Sequence, residues 1–283
     1  MTEQVEDPNG VLSGEDHMRD MERVQMSLCE ISRPFPSMIR VTGRIPGAAP
    51  AQWTVPNLAV RLEVETPQTG RPISRIYTIR SFDAEAGTVD IDFVLHDDDS
   101  PAMRWLNMAR PGDTVWLTGP RPHFVPPFTP GKRAALFADD TAIPAVHAIL
   151  EAWPDGTLGA VWIDGGDRAA MEALPRVAGV ERYFMLRDAA CPAGTTDRLI
   201  SAAKALEDPA DWTIWAAGER EEMRRLRQYF RAMNMPREAL QVLGYWKRGT
   251  SSSELDRRRL AAYEAALAKG LRMEDMMDSD EAV

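Results

Sequence analysis

Apolar and polar residues alternate one for one in three short stretches between Arg40 and Pro120: VRLEVE (60–65), RIYTIR (75–80) and TVDIDFVLH (88–96). A period of two places successive side chains on opposite faces, so each stretch predicts a strand. The turn-forming segments PQTGRP and DAEAG separate them. Short strands at this spacing predict an antiparallel barrel or sandwich. PAMRWLNMAR (101–110) interrupts them as a short helix, stopped by Pro111-Gly112. The segment RPHFVPPFTPGK (121–132) then carries Pro122, Pro126, Pro127 and Pro130. Proline that dense continues neither a ladder nor a helix, which predicts a stiff linker and a domain boundary.

Beyond the linker the pattern changes. AALFADD (134–140), GAVWIDGGD (159–167) and DWTIWAAGE (211–219) are buried-strand runs. TAIPAVHAILEAW (141–153) and REEMRRLRQYFRAM (220–233) have helical spacing, and EALPRVAGVERYFML (172–186) forms a further unit. Strands alternating with helices imply a parallel sheet covered on both faces. The expected organisation is a mobile leader over residues 1–20, a β-barrel domain over 21–125, an α/β domain over 133–249, and a C-terminal helix with an acidic tail over 250–283. In that tail a serine run offers an N-cap, Leu260, Tyr263 and Leu267 share a face, and Gly270 is a stop.

The net charge of −10 argues against nucleic-acid and anionic-membrane partners. No run approaches the roughly 20 apolar residues that span a bilayer, and the acidic N-terminus lacks the apolar core of a secretory signal. A cytoplasmic monomer is the expectation. Cys29 and Cys191 make no disulfide framework, and four scattered histidines make no metal motif.

Five constellations carry candidate chemistry. Arg75 and Tyr77 alternate on one strand face, followed by Thr78. A guanidinium and a phenol so placed suit a ligand with a diphosphate and an aromatic ring, of which flavin adenine dinucleotide (FAD) is one. A solvated arginine and a core tyrosine on an edge strand fit equally well. Val94-Leu95-His96, then Ser100-Pro101-Ala102, join a strand end to a helix start whose free N–H groups attract phosphate. Ala138 to Ala145 and Ala216 to Glu219 are strand-to-helix junctions of the kind where α/β sheets bind ligands. Both are equally ordinary turns, and neither carries G-x-G-x-x-G. In Gly244 to Gly249 two aromatics stand beside Lys247 and Arg248, where a planar anion could stack.

Taken in order, RIYTIRSFD, VDIDFVLHDDDSPAMRW, ARPGDTVWLTGPR, FADDTAIPAVHAILEAWP, WAAGERE and GYWKRG resemble the siderophore-interacting proteins. These are FAD-dependent ferric-siderophore reductases related to the ferredoxin–NADP⁺ reductases. The resemblance spans about Ser37 to Arg248. It implies a flavin-binding antiparallel barrel followed by a nicotinamide-binding α/β domain. By the matching motifs, Arg75, Tyr77, Thr78, Val94, His96 and Ala102 would meet FAD. Asp139, Asp140, Thr141, Pro144, Gly218 and Glu219 would meet NADH or NADPH. No protein acid or base is required, since the flavin carries the chemistry. For the anionic siderophore, Lys132, Arg133, Lys247 and Arg248 are the expected cations.

The chain departs from the family pattern at two places. HDDDSPA replaces H-G-x-x-G-P-A, which sets Asp97, Asp98 and Asp99 near the expected diphosphate; that is unfavourable unless they face solvent. Ala138 and Asp140 replace a glycine and a glutamate. The expected activity is electron transfer from NAD(P)H through FAD to a ferric siderophore, releasing Fe(II). A related reductase with another acceptor (a ferric chelate, free flavin or an electron-transfer protein) is one alternative, and a non-catalytic siderophore-binding protein is another.

Overall fold

The structure, a computed structural model, describes residues 21–68, 72–95, 99–188, 190–251 and 254. The leader and the C-terminal helix read from the sequence lie outside the described residues, apart from Ser251 and Glu254. Six strands close an antiparallel barrel: β1 (Glu22–Phe35), β2 (Met38–Arg44), β3 (Leu58–Glu65), β4 (Ile73–Asp83), β5 (Thr88–Val94) and β6 (Thr114–Pro122). Around it they run β1-β2-β5-β4-β3-β6, and β6 pairs back onto β1. Closure leaves no free edge. Helix α1 (Pro50–Trp53) bridges β2 to β3, and α2 (Pro101–Met108) joins β5 to β6.

Alternation works in β5, where Val89, Ile91 and Phe93 are buried in the barrel. Asp92 is buried as well, because Arg40 and Arg80 reach its carboxylate at 2.7 and 3.2 Å. A bulge between Ile79 and Ser81 turns two successive residues of β4, Ile79 and Arg80, inward together.

The second unit is a parallel sheet ordered β11-β10-β7-β8-β9. Its strands are β7 (Arg133–Asp139), β8 (Gly159–Gly165), β9 (Val180–Leu186), β10 (Trp212–Glu219) and β11 (Leu240–Trp246). Helices α3 (Ile143–Glu151), α4 (Arg168–Glu172), α5 (Arg198–Lys204) and α6 (Arg220–Ala232) connect them. Every residue of β10 is buried, as helices on both faces require of a central strand. Among the described residues no helix is long and apolar enough to cross a membrane.

The units pack closely. Helix α3 lies on β4, and Met38 of the barrel sits fully buried in the α/β core with Phe35 and Val94 against it. The proline-rich segment is pinned from both sides. The Phe124 carbonyl accepts the Asn57 side-chain amide at 2.6 Å from the barrel and the Trp215 indole N–H at 2.8 Å from β10.

Candidate functional site

On β4, Ile76 faces outward while Arg75 and Tyr77 point the other way, the alternation expected of a strand. The Arg75 guanidinium donates to the Ser74 carbonyl at 2.7 Å, and neighbouring Arg61 donates to the Ser74 hydroxyl at 3.1 Å. The Tyr77 ring lies 4.2 Å from that of Phe93, which stacks at 5.5 Å on Trp105 of α2. Three aromatics from β4, β5 and α2 therefore brace one another, with Tyr77 half-buried at the end of the stack.

Helix α2 begins beside this stack. Ser100 caps it by accepting the Met103 N–H, Pro101 opens it, and Ala102 is buried in its first turn. Asp99 is exposed and lies 3.3 Å from the Arg104 guanidinium, so this carboxylate faces solvent and is paired. His96, Asp97 and Asp98 lie outside the described residues. Val94 is packed against the α/β core at the domain boundary.

In the sheet, strand order reverses between β7 and β10, and ligands bind outside the carboxyl ends of strands at such a switch point. The residues there are Asp139, Asp140 and Thr141 on one side, Gly218 and Glu219 on the other. All three acids are buried and committed within the protein. Asp139 Oδ1 accepts the Thr141 N–H at 2.9 Å and its hydroxyl at 2.6 Å, and Oδ2 accepts the Trp246 indole at 2.7 Å. Burial pushes the Asp139 carboxyl up to about 6, against those hydrogen bonds. Asp140 Oδ1 accepts the Gly166 N–H at 2.9 Å, and Oδ2 pairs with Arg187. Glu219 caps α6 through the N–H groups of Glu221 (2.7 Å) and Glu222 (3.0 Å), and accepts Arg248 N–H at 3.1 Å. Pro144 is buried in the first turn of α3. Gly218 is glycine for an internal reason, since a Cβ there would meet the Asp139 carboxylate at 2.7 Å.

Sequence reading did not single out Glu222 or Arg187, and it took Tyr245 only as one of the two aromatics of Gly244 to Gly249. Glu222 is 5% exposed, and its Oε1 has no hydrogen-bond partner. Burial, with Asp139, Asp164 and Glu219 nearby, pushes its carboxyl up to about 8. Tyr245, at the end of β11, approaches Thr78 and Asn57 of the barrel, and burial pushes its phenol up. One phenol thus joins the R-x-Y-T strand to the switch-point end of the sheet. A capping-box spacing, Glu219 to Glu222, was the only available signal for Glu222.

The four expected cations do not form one patch. Lys132 donates to the Ala210 carbonyl at 2.9 Å, and Arg133 stacks 3.9 Å over Trp212. Both stand where β7 and β10 begin, whereas Lys247 and Arg248 follow the end of β11. Because these strands are parallel, the two pairs lie at opposite edges of the sheet, roughly 20 Å apart for seven-residue strands. Among the described residues no cluster of His, Cys, Asp and Glu is arranged to hold a metal.

Comparison with known proteins agrees with this architecture. A family model for the siderophore-interacting FAD-binding domain matches residues 37–124, and one for siderophore-interacting protein matches residues 132–249. The chain is 41% identical over 271 residues to ferric acinetobactin reductase of Acinetobacter baumannii, covering 95% of this chain and 94% of that one. Ferric vibriobactin reductase ViuB of Vibrio cholerae is 28% identical over 183 residues, 63% of this chain and 66% of its own. Among solved structures, a siderophore-interacting protein from A. baumannii superposes with a TM-score of 0.84 at 41% identity, over 88% of this chain and all of that one. A cytochrome P450 reductase from Amycolatopsis shares the fold at 16% identity, with a TM-score of 0.63 over 81% of this chain and 71% of that one.

Proposed function

The chain belongs to the siderophore-interacting protein family, and we propose that it is an FAD-dependent oxidoreductase passing electrons from NAD(P)H to a ferric siderophore, reducing Fe(III) to Fe(II) and releasing the iron. The observation that carries this reading is the packing of the barrel on the sheet, with Tyr245 beside Thr78 and Met38 buried in the α/β core, which brings the flavin strand against the switch point. A dinucleotide donor and a flavin must meet at such a junction.

The residues fit FAD. The Arg75 guanidinium and the start of α2 supply positive charge and N–H groups for a diphosphate. The braced Tyr77 ring supplies a rigid face for a planar ring system. Thr78 supplies a hydroxyl beside it, and Asp99, paired with Arg104, withholds its charge. FAD held by these residues would supply the chemistry that turns the two-electron hydride of a nicotinamide into single electrons. Hard oxygen ligands hold Fe(III) far better than Fe(II), so one electron loosens the metal.

At the sheet end, Asp139, Asp140 and Glu219 act by shaping the backbone cradle at the switch point, with Thr141, Pro144 and Gly218 lining the same turns. Lys247 and Arg248 stand at that end and suit the anionic siderophore. Lys132 and Arg133 stand at the other edge, away from it.

The test is an anaerobic titration of the yellow, FAD-loaded protein. Bleaching by NADH or NADPH, followed by recovery of colour on adding a ferric catecholate together with appearance of chelator-trapped Fe(II), is the expected result. Reoxidation by another acceptor but not by ferric siderophores would overturn it.

A further inference from the structure

We infer that the amino end of the sheet carries a second small-molecule site, for an uncharged planar aromatic ring bearing a carbonyl acceptor, lined by Arg133, Trp162, Tyr183 and Trp212. Neither the flavin nor the dinucleotide takes part in it. Helix α5 is only seven residues long and ends at Lys204. The chain then turns through Leu206 and Glu207 to start β10 at Trp212. So short a helix leaves an open cavity of about 310 Å³ beside the aromatic side chains of β8 and β9. That volume is at the low end of the roughly 300–1,000 Å³ of small-ligand sites, with room for one or two fused rings.

Parallel register sets Phe137, Trp162 and Tyr183 side by side on β7, β8 and β9. Their rings stack across the strands, Phe137 on Trp162 at 4.9 Å and Trp162 on Tyr183 at 5.2 Å, with planes only 9° and 10° apart. Strand β9 is the edge of the sheet, so the stack ends on Tyr183, which is 44% exposed. Trp212 forms a corner with the stack, 6.2 Å from Trp162 and tilted by 59°. Ala205 and Leu206, just past the end of α5, line the opposite side, and the small side chain of Ala205 leaves the space open.

The polar groups of the cavity choose the ligand. The Trp212 indole N–H donates to the Glu207 carbonyl at 3.1 Å, and the Tyr183 hydroxyl donates to Glu181 at 2.6 Å. Arg133 Nε differs from both, being buried and without an acceptor among the described residues. A buried donor left unmade carries a desolvation cost that a ligand oxygen relieves. The Arg133 guanidinium also stands 3.9 Å over the Trp212 ring, where a ligand cation would otherwise sit in an aromatic box. The protein thus fills its own cation position and leaves an acceptor wanting. Of the charged residues lining the cavity, Glu181 and Glu207 are carboxylates and Arg133 is the one cation, so a negative charge gains nothing there. A neutral ring packs on the aromatics, and its carbonyl accepts the Arg133 Nε–H.

The test follows the indole N–H signals of Trp162 and Trp212 by NMR in the full chain loaded with FAD, assigned through Trp162→Phe and Trp212→Phe. The probe is coumarin, two fused rings with a carbonyl. The control is naphthylmethylamine, of similar size but with an ammonium group and no acceptor. Coumarin is expected to move both signals with a dissociation constant of about 1 mM or lower, and the amine to bind more weakly by about tenfold or more. Arg133→Met keeps an apolar stem over Trp212 but removes the Nε–H, and should weaken coumarin by about tenfold. Ala205→Phe, at an exposed position, puts a ring into the cavity and should abolish binding. Tighter binding of the amine than of coumarin would overturn the inference. So would shifts confined to other indoles, affinity unchanged in both variants, or no shift up to the solubility of coumarin.

Discussion

The two cofactor ends of the molecule use their polar residues in opposite ways. On the barrel, Arg75, Tyr77 and Thr78 lie in the first half of β4, with the Tyr77 ring braced from behind. At the sheet, Asp139, Asp140 and Glu219 are buried and already carry caps, an ion pair and cross-links to neighbouring strands. In the function proposed, the barrel end recognises its ligand through side chains. The sheet end uses side chains to fix a backbone shape. A motif residue can therefore be indispensable at either end for different physical reasons, and substitutions separate them.

The largest effect is expected from Asp140→Ala, which strands the buried Arg187 guanidinium beside Asp164 alone. Removing one partner of a buried pair costs about 3–5 kcal/mol, read as a lower urea midpoint of the flavin-free protein. Arg75→Ala should do the reverse. It weakens FAD binding by about 2–3 kcal/mol, the worth of charge-assisted hydrogen bonds, measured by fluorescence titration, while the urea midpoint without FAD stays close to that of the unmutated protein. Equal losses of stability from both substitutions would erase the contrast.

Glu222 gives the sheet end a pH signature. Its folded value of about 8 lies above that of an unfolded glutamate, so the folded chain keeps a proton that the unfolded chain releases. The stability associated with this group is complete below about pH 4. It is lost as pH rises toward 8, by up to about 1.4 kcal/mol per pH unit. Glu222→Gln should flatten that slope, raising the melting temperature at pH 8 and leaving it unchanged near pH 4. A parallel offset at every pH would refute the assignment. The smallest effect concerns the join between the two ends. Tyr245→Phe removes the buried hydroxyl beside Thr78 and Asn57 at a cost of no more than about 1 kcal/mol, seen as at most a modest drop in melting temperature.

Much of the fold was readable because its signals are local. TVDIDFV alternates and becomes β5, while the largely apolar segment Trp212–Glu219 becomes the buried β10. Strand β1 escaped notice for a physical reason. Register shifts between Leu28 and Glu30 and between Ser32 and Phe35 break the period of two on which recognition depends. Strand β11 was legible only as the hexapeptide Gly244 to Gly249, since aromatic and charged residues there mask a strand pattern.

At the site, residue types were legible and their duties were not. Asp139-Asp140-Thr141 announces a strand-to-helix turn, but nothing local says that Asp140 will meet Arg187, 47 positions away. The four candidate cations looked equivalent until parallel strand order sent Lys132 and Arg133 to one edge and Lys247 and Arg248 to the other. Hydrophobic periodicity, written within a dozen neighbouring residues, determined the barrel-then-sheet architecture, and the order of six short motifs from about Ser37 to Arg248 carried the resemblance that implied the family and the cofactor classes. Which acids are spent on the protein, which cations face the switch point, and how Tyr245 joins Thr78 were decided by tertiary structure alone. Those facts depend on contacts between distant segments that exist only once the barrel has closed and the sheet has packed against it.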